Sequence, residues 1–149
     1  MDDIQKKYGL RWIIDPLFRI NFFYCNDPTQ AQYEAKYLKL NGLPATNTGR
    51  CGGKFEGIYQ EETGVERGMI WVPNDEPDIM SHEIFHAARW GLFNRRNINL
   101  SDENEETYSY YIQYLTKECL SKGYDARIKV RKDLPTPKPK PPRRKRTKK

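Results

Sequence analysis

The chain has 149 residues, enough for one domain of ordinary size and a tail. Its mean hydropathy of −0.92 is low, but ten Tyr, six Phe and three Trp supply large apolar surfaces for a core. The apolar runs are too short to span a membrane, and the acidic N-terminus predicts no signal peptide. The three cysteines are odd in number and lack CxxC spacing, so we expect free thiols and a cytoplasmic protein, without a disulfide framework or zinc ribbon.

The formal net charge of +6 belongs to the C-terminus. Residues 134–149 contain eight Lys or Arg, five Pro and no acid, whereas residues 1–133 contain 18 basic and 20 acidic residues. We therefore predict a folded domain over residues 1–133 and a disordered tail over residues 134–149. The tail is compatible with nucleic-acid binding without sequence preference and equally with a merely solubilising role, because no aromatic residue interleaves its charges.

The first half of the chain predicts two strands and a helix. Residues 11–15 and 18–25 are rich in Ile, Phe, Trp and Tyr and are interrupted at Asp15-Pro16, as expected of strands joined by a turn. Asp27 and Pro28 are typical of the start of a helix, and Gly42 is typical of its end. Residues 43–53 are predicted to form a loop.

The second half predicts a hairpin and two further helices. Residues 54–60 and 66–72 flank a turn sequence, and helical patterns cover about 78–93 and 101–122. We expect Ser101 or Asp102 to cap the last helix, Gly123 to end it, and residues 124–130 to form a final strand. The predicted class is α+β, with a small mixed or antiparallel sheet.

The chemistry lies in the segment from Ser81 to Trp90, which contains an HExxH motif. Residues four apart share one face of a helix, so His82 and His86 can direct both imidazoles at one metal ion. Glu83 lies about 100° further around the helix, where it can reach a water on that metal and act as a general base. The chain has only two histidines, and both fall within the motif.

A catalytic zinc needs three protein ligands and one open position. With no third histidine, the remaining ligand must be a carboxylate or a cysteine, and an acidic cluster occupies residues 102–106. The HExxH motif together with Glu106-Thr-Tyr-Ser109 resembles the gluzincins, the thermolysin-like branch of the zincins. In that family a Glu on the next helix completes the zinc site, and a small residue follows three positions later, which allows close helix packing. The resemblance implies zinc held by His82, His86 and Glu106.

Glu105 is the alternative third ligand. On a helical wheel it lies nearer the apolar stripe that contains Tyr108 and Leu115, which favours an inward position. Its spacing from Asp102 instead favours a capping box, in which Glu105 would turn back to the helix start.

The resemblance covers roughly residues 54–122 and implies a zincin-like domain over residues 1–133. It also implies that residues 68–72 form the edge strand that pairs with an extended peptide substrate. A looser resemblance connects the chain to small metallopeptidase-like proteins of tailed bacteriophages, which implies the host cytoplasm or the virion as its location.

The expected function is therefore zinc-dependent cleavage of peptide bonds in a protein or peptide substrate, without a membrane partner. Tyr108, Tyr110 and Arg89 are candidates for stabilising the oxyanion. Proteases of the Spartan-like group, which act on DNA-bound proteins, use a third His that this sequence lacks. The alternative from another class is a non-catalytic virion or nucleic-acid-binding structural protein that retains a zincin-like fold.

Overall fold

Four short strands form a mixed sheet in the computed structural model, which describes residues 7–132 and the side chains of residues 7–121. The strands are β1 (Arg11–Ile14), β2 (Asn21–Cys25), β3 (Lys54–Gln60) and β4 (Val65–Trp71). Their order across the sheet is β1-β2-β4-β3, with β2 and β4 parallel and the outer pairs antiparallel. Three helices accompany them: α1 (Gln30–Asn41), α2 (Pro77–Arg89) and α3 (Glu105–Lys132). The α+β class with a small mixed sheet is thus confirmed.

Successive side chains of a strand point to opposite faces, and the central strands bury both faces. Phe22 and Ile70 join the apolar cluster that α2 and α3 cover. Phe23 and Trp71 join a second cluster with Tyr33, which lies on α1. The sheet is therefore a layer between α1 on one side and the helix pair α2 and α3 on the other.

The start of α1 differs from the sequence prediction. Thr29 is its N-cap and forms a reciprocal capping box with Gln32, so Asp27 and Pro28 precede the helix. Asp27 instead pairs with Lys36 at 2.6 Å, and its carbonyl accepts a hydrogen bond from the Trp71 indole. The end of α1 is as predicted, because Gly42 takes the left-handed conformation at φ 72°.

A tight turn leads from β4 into α2. A short 3-10 helix spans Pro73–Asp75, and both Asn74 and Asp75 have positive φ angles, near 55° and 58°. The Asp75 carboxylate accepts hydrogen bonds from Tyr24 and Asn26, which attach this strained turn to β2. Helix α2 then continues into a π-helix over Trp90–Asn94, so the predicted helical segment of about 78–93 is largely confirmed.

Helix α3 differs from the prediction at both ends. It begins at Glu105, and the carbonyl of Asn104 accepts the first helical hydrogen bond, so neither Ser101 nor Asp102 is its cap. Gly123 does not end it, and the predicted strand over residues 124–130 is wrong because the helix continues to Lys132. A glycine within a helix costs only about 1 kcal/mol and does not by itself stop one. The predicted tail of residues 134–149 lies outside the described residues.

The predicted role of residues 68–72 as an edge strand is also wrong. All of these residues except Val72 belong to β4, which pairs with β2 on one side and β3 on the other and so has no free edge. The sheet edge beside α2 is β3. No helix within residues 7–132 is long and apolar enough to cross a membrane.

Candidate active site

Helix α2 presents its two histidines on its solvent-exposed face. Met80, Ile84, Ala87 and Ala88 bury the opposite face, which leaves His82 and His86 exposed one turn apart. Their Nε2 atoms lie 3.0 Å apart. Two imidazole nitrogens on one tetrahedral zinc lie about 3.3 Å apart, so this pair converges as two ligands of a single ion would.

Glu83 lies on the buried side of the same helix and is only 6% exposed. Burial raises the pKa of its carboxyl, although the neighbouring His82 and a hydrogen bond from the Phe55 amide act to lower it. Desolvation lowers the pKa of His86, and His82 and Arg89 lower it further. The lowered pKa of His86 favours its neutral imidazole, which is the form that binds a metal.

The approach of β3 to α2 depends on a glycine. A Cβ atom on Gly53 would lie 2.2 Å from Ile79 Cγ2 and 3.3 Å from Glu83 Cγ. Because only glycine avoids this clash, the segment that enters β3 can reach the helix and place Phe55 against Glu83. Any larger residue at this position would push apart the two elements that hold the carboxylate.

Glu83 and His86 share a cavity of about 350 Å³ with Arg89 and with several residues that the sequence did not single out. Its walls come from the 43–53 loop, the start of β3 and the end of α2 with the π-helix. The lining residues besides Glu83 and His86 are Thr48, Cys51, Gly53, Lys54, Phe55, Arg89, Trp90 and Asn94. The paired glycines before β3 were the available signal, since glycines in front of a strand often mark a close approach.

The structure does not bring a third ligand to the histidine pair. Within residues 7–121, no group of three or more His, Cys, Asp or Glu side chains is arranged to hold a metal. Glu105 and Glu106 are both exposed at the start of α3, and neither forms a side-chain hydrogen bond or ion pair with another described residue. Because α3 begins at Glu105, the capping box proposed for that residue is absent. Of the three ligands predicted from the sequence, the structure thus brings His82 and His86 together but not Glu106.

The contact between α2 and α3 does not involve Ser109, which is exposed rather than at the interface. Close packing occurs at Gly91 instead, where an added Cβ would lie 3.0 Å from the Tyr111 hydroxyl. The Tyr108 hydroxyl donates to the Ile98 carbonyl at 2.8 Å, and Tyr110 is 66% exposed. Of the three residues considered for oxyanion stabilisation, only Arg89 lines the cavity.

The three cysteines are free thiols, as expected from their number and spacing. Cys25 and Cys119 are buried, and Cys51 is partly exposed at the cavity.

No protein-family model matches the chain, and no curated protein or solved structure matches it.

Proposed function

We propose that the chain is a zincin-like, zinc-dependent hydrolase that cleaves peptide bonds. The observation that carries the proposal is the convergence of the His82 and His86 imidazoles at 3.0 Å beside the buried Glu83 carboxylate. The two nitrogens lie at hydrogen-bonding distance, and a zinc ion would use the same two atoms as ligands with little movement of either side chain. The position of β3 at the sheet edge next to the cavity supports the zincin-like interpretation.

Each residue of the motif has a defined role in this proposal. His82 and His86 hold the ion, and a bound zinc would supply Lewis-acid polarisation of the scissile carbonyl and activation of the attacking water. Glu83 takes a proton from that water and passes it to the leaving amine. The raised pKa of Glu83 makes its carboxylate a stronger base, closer to the ideal for proton transfer near neutral pH.

We propose that the peptide substrate binds along β3. The resemblance had assigned this role to residues 68–72, which lie in and just after β4. The outer edge of β3 has main-chain groups that β4 does not use, and an extended peptide can pair with such an edge. Arg89 lines the cavity one turn beyond His86 and is placed to stabilise negative charge on the reacting carbonyl oxygen.

The third ligand is proposed to be Glu106, whose exposed side chain must then turn towards the histidine pair when the metal binds. Its neighbour Glu105 is also exposed and offers a matched control. In a chelator competition, Glu106→Ala is expected to weaken zinc binding by about 10-fold or more, and Glu105→Ala is expected to leave it nearly unchanged. The reverse ranking would transfer the ligand role to Glu105.

Zinc content of the purified full chain tests the site itself. We expect about one zinc per chain, and we expect its loss in His82→Ala and in His86→Ala. Circular dichroism should show both variants folded, because both side chains are exposed. Full zinc occupancy in the double variant would rule out the site.

The missing third ligand keeps one alternative open, namely a non-catalytic structural protein with a zincin-like fold. The two hypotheses differ in the behaviour of Glu83→Gln. An enzyme that cleaves unstructured peptides should lose this activity in the variant while retaining zinc. A structural protein should bind zinc and show no activity that depends on Glu83.

A further inference from the structure

A second cavity lies on the α1 face of the sheet, away from the histidine pair. Its volume is about 670 Å³, and no residue lines both cavities. It extends from the segment before β1, past the end of α1, to the turn between β3 and β4. The candidate active site is on α2, which covers the opposite face of the sheet.

Three cations line this second cavity, which we call the basic cavity: Lys7, Arg19 and Arg67. None of the four ion pairs found within residues 7–121 involves any of them. The one carboxylate of the lining, Glu66, is bound by Arg95 and Arg96 at 2.5 to 2.9 Å, so its charge is already compensated. The cavity is therefore positively charged without an internal counter-ion among the described residues.

Two aromatic rings, Tyr8 and Trp12, stand beside these cations. The Trp12 indole donates to Asn21 at 2.8 Å, which fixes its orientation. Tyr8 belongs to a segment attached to α1 through Lys36 and Lys39, whose ammonium groups donate to the Gly9 and Lys7 carbonyls at 3.0 and 2.7 Å. The aromatic walls are thus held in place before any ligand arrives.

A nucleotide is recognised by two elements: an aromatic ring stacks on its base, and cations bind its phosphate. The basic cavity offers both elements. The volume of the basic cavity also lies within the usual range for small ligands, roughly 300 to 1,000 Å³. We infer that the basic cavity binds a nucleotide unit, with the phosphate among the three cations and the base against the two rings. This inference is independent of the proposed hydrolase activity.

Arg19 provides the most informative variant. Its φ angle is 57°, in the left-handed region that Asn tolerates best among residues with a side chain, so Arg19→Asn removes the charge and preserves the backbone. Arg50→Asn is the matched control, since Arg50 is also exposed but does not line the basic cavity. Both variants keep the C-terminal basic residues of the full chain, whose contribution to binding therefore cancels.

Calorimetric titration of the full chain with adenosine 5′-monophosphate tests the inference. We expect measurable binding, weakened about 10-fold or more by Arg19→Asn through the loss of a charge-assisted contact and unchanged by Arg50→Asn. Trp12→Leu should weaken binding by at least about fivefold through the loss of stacking. No binding at millimolar nucleotide, or equal binding by Arg19→Asn and the wild type, would overturn the inference.

Two further ligands identify the chemistry and its source. Inorganic phosphate should bind much more weakly than the nucleotide, and equal affinity would refute the role of the rings. A 5′-phosphorylated oligoadenylate that binds with the same sensitivity to Arg19→Asn would identify the end of a nucleic-acid strand as the source. If Arg19→Asn weakens the binding of the mononucleotide but not that of the oligoadenylate, the ligand is a free nucleotide.

Discussion

Two buried glutamates lie on opposite sides of the sheet edge, and their surroundings differ. Glu56 on β3 is 9% exposed and Glu83 on α2 is 6% exposed. Glu56 accepts hydrogen bonds from the Tyr33 hydroxyl at 2.5 Å and the Thr46 amide at 2.6 Å, and it pairs with the buried Lys54 at 3.3 Å. Glu83 has only the Phe55 amide as a partner among the described residues, and it borders a cavity.

This difference shows that burial alone does not mark a functional carboxylate. The Glu56 carboxylate is saturated by partners that attach the 43–53 loop to β3, so it has no free capacity for chemistry. Glu83 is desolvated and incompletely partnered, and its raised pKa reflects that state. Glu56 is held by contacts within the fold, and Glu83 is the carboxylate to which the proposed mechanism assigns proton transfer.

The largest effect on stability is expected at Glu56, the more fully partnered of the two glutamates. Glu56→Gln leaves the Lys54 ammonium buried without its counter-charge, which should cost about 3 kcal/mol of unfolding free energy. Urea denaturation followed by circular dichroism measures this quantity. A loss below about 1 kcal/mol would show that the Glu56 network contributes little and would remove the contrast with Glu83.

The same substitution at Glu83 should affect activity instead. On any peptide that the wild type cleaves, Glu83→Gln is expected to lose about 10² to 10⁴-fold in turnover because an amide cannot act as the base. Asp78→Asn is the control, since it removes an exposed carboxylate from the same helix. Unchanged turnover in Glu83→Gln would remove Glu83 from the mechanism.

In the metal-free protein, Glu83→Gln should affect the free energy of unfolding in the opposite direction to Glu56→Gln. Because the folded pKa of Glu83 is raised, its stabilising contribution is present below the unfolded value of about 4.5 and is lost as the pH rises through the folded value. At neutral pH, Glu83→Gln should therefore melt no lower than the wild type. A lower melting temperature would show that the charged carboxylate stabilises the fold.

Alkaline unfolding tests the Glu56 side of the sheet. Burial and the charge of Glu56 raise the pKa of Tyr37 from 10.0 to about 12, so stability is present below pH 10 and lost as the pH rises towards 12. Tyr37→Phe should reduce this loss by up to about 2 kcal/mol in denaturation experiments between pH 9 and 12. Identical pH profiles for the two proteins would contradict the assigned shift.

The smallest effect is expected from deleting residues 134–149. These residues contain nothing apolar after Leu134, so the deletion should change the unfolding free energy by less than about 0.5 kcal/mol and leave zinc content unchanged. If the segment binds nucleic acid, only the full chain should bind DNA or RNA of any sequence, with affinity falling steeply as salt rises. If the deletion unfolds the protein or removes its metal, residues 134–149 have a structural role.

Local signals were predicted well because they depend on neighbouring residues. The β3–β4 hairpin, the break at Asp15-Pro16 and the left-handed Gly42 follow from turn and cap preferences. The end of α3 was predicted wrongly, because Gly123 is typical of a helix end and yet does not require one. The start of α1 was also predicted wrongly, because the capping box of Thr29 and Gln32 is a stronger local signal than Asp27-Pro28.

The sequence by itself determined that His82 and His86 share one face of their helix, because residues four apart lie on the same helical face whatever surrounds them. Only the tertiary structure decided that β3 forms the edge, that Gly53 lets it reach α2 and that Arg89 lines the cavity. These features depend on which strands pair and which elements approach. Such long-range contacts arise from packing, and the order of residues along one element does not encode them.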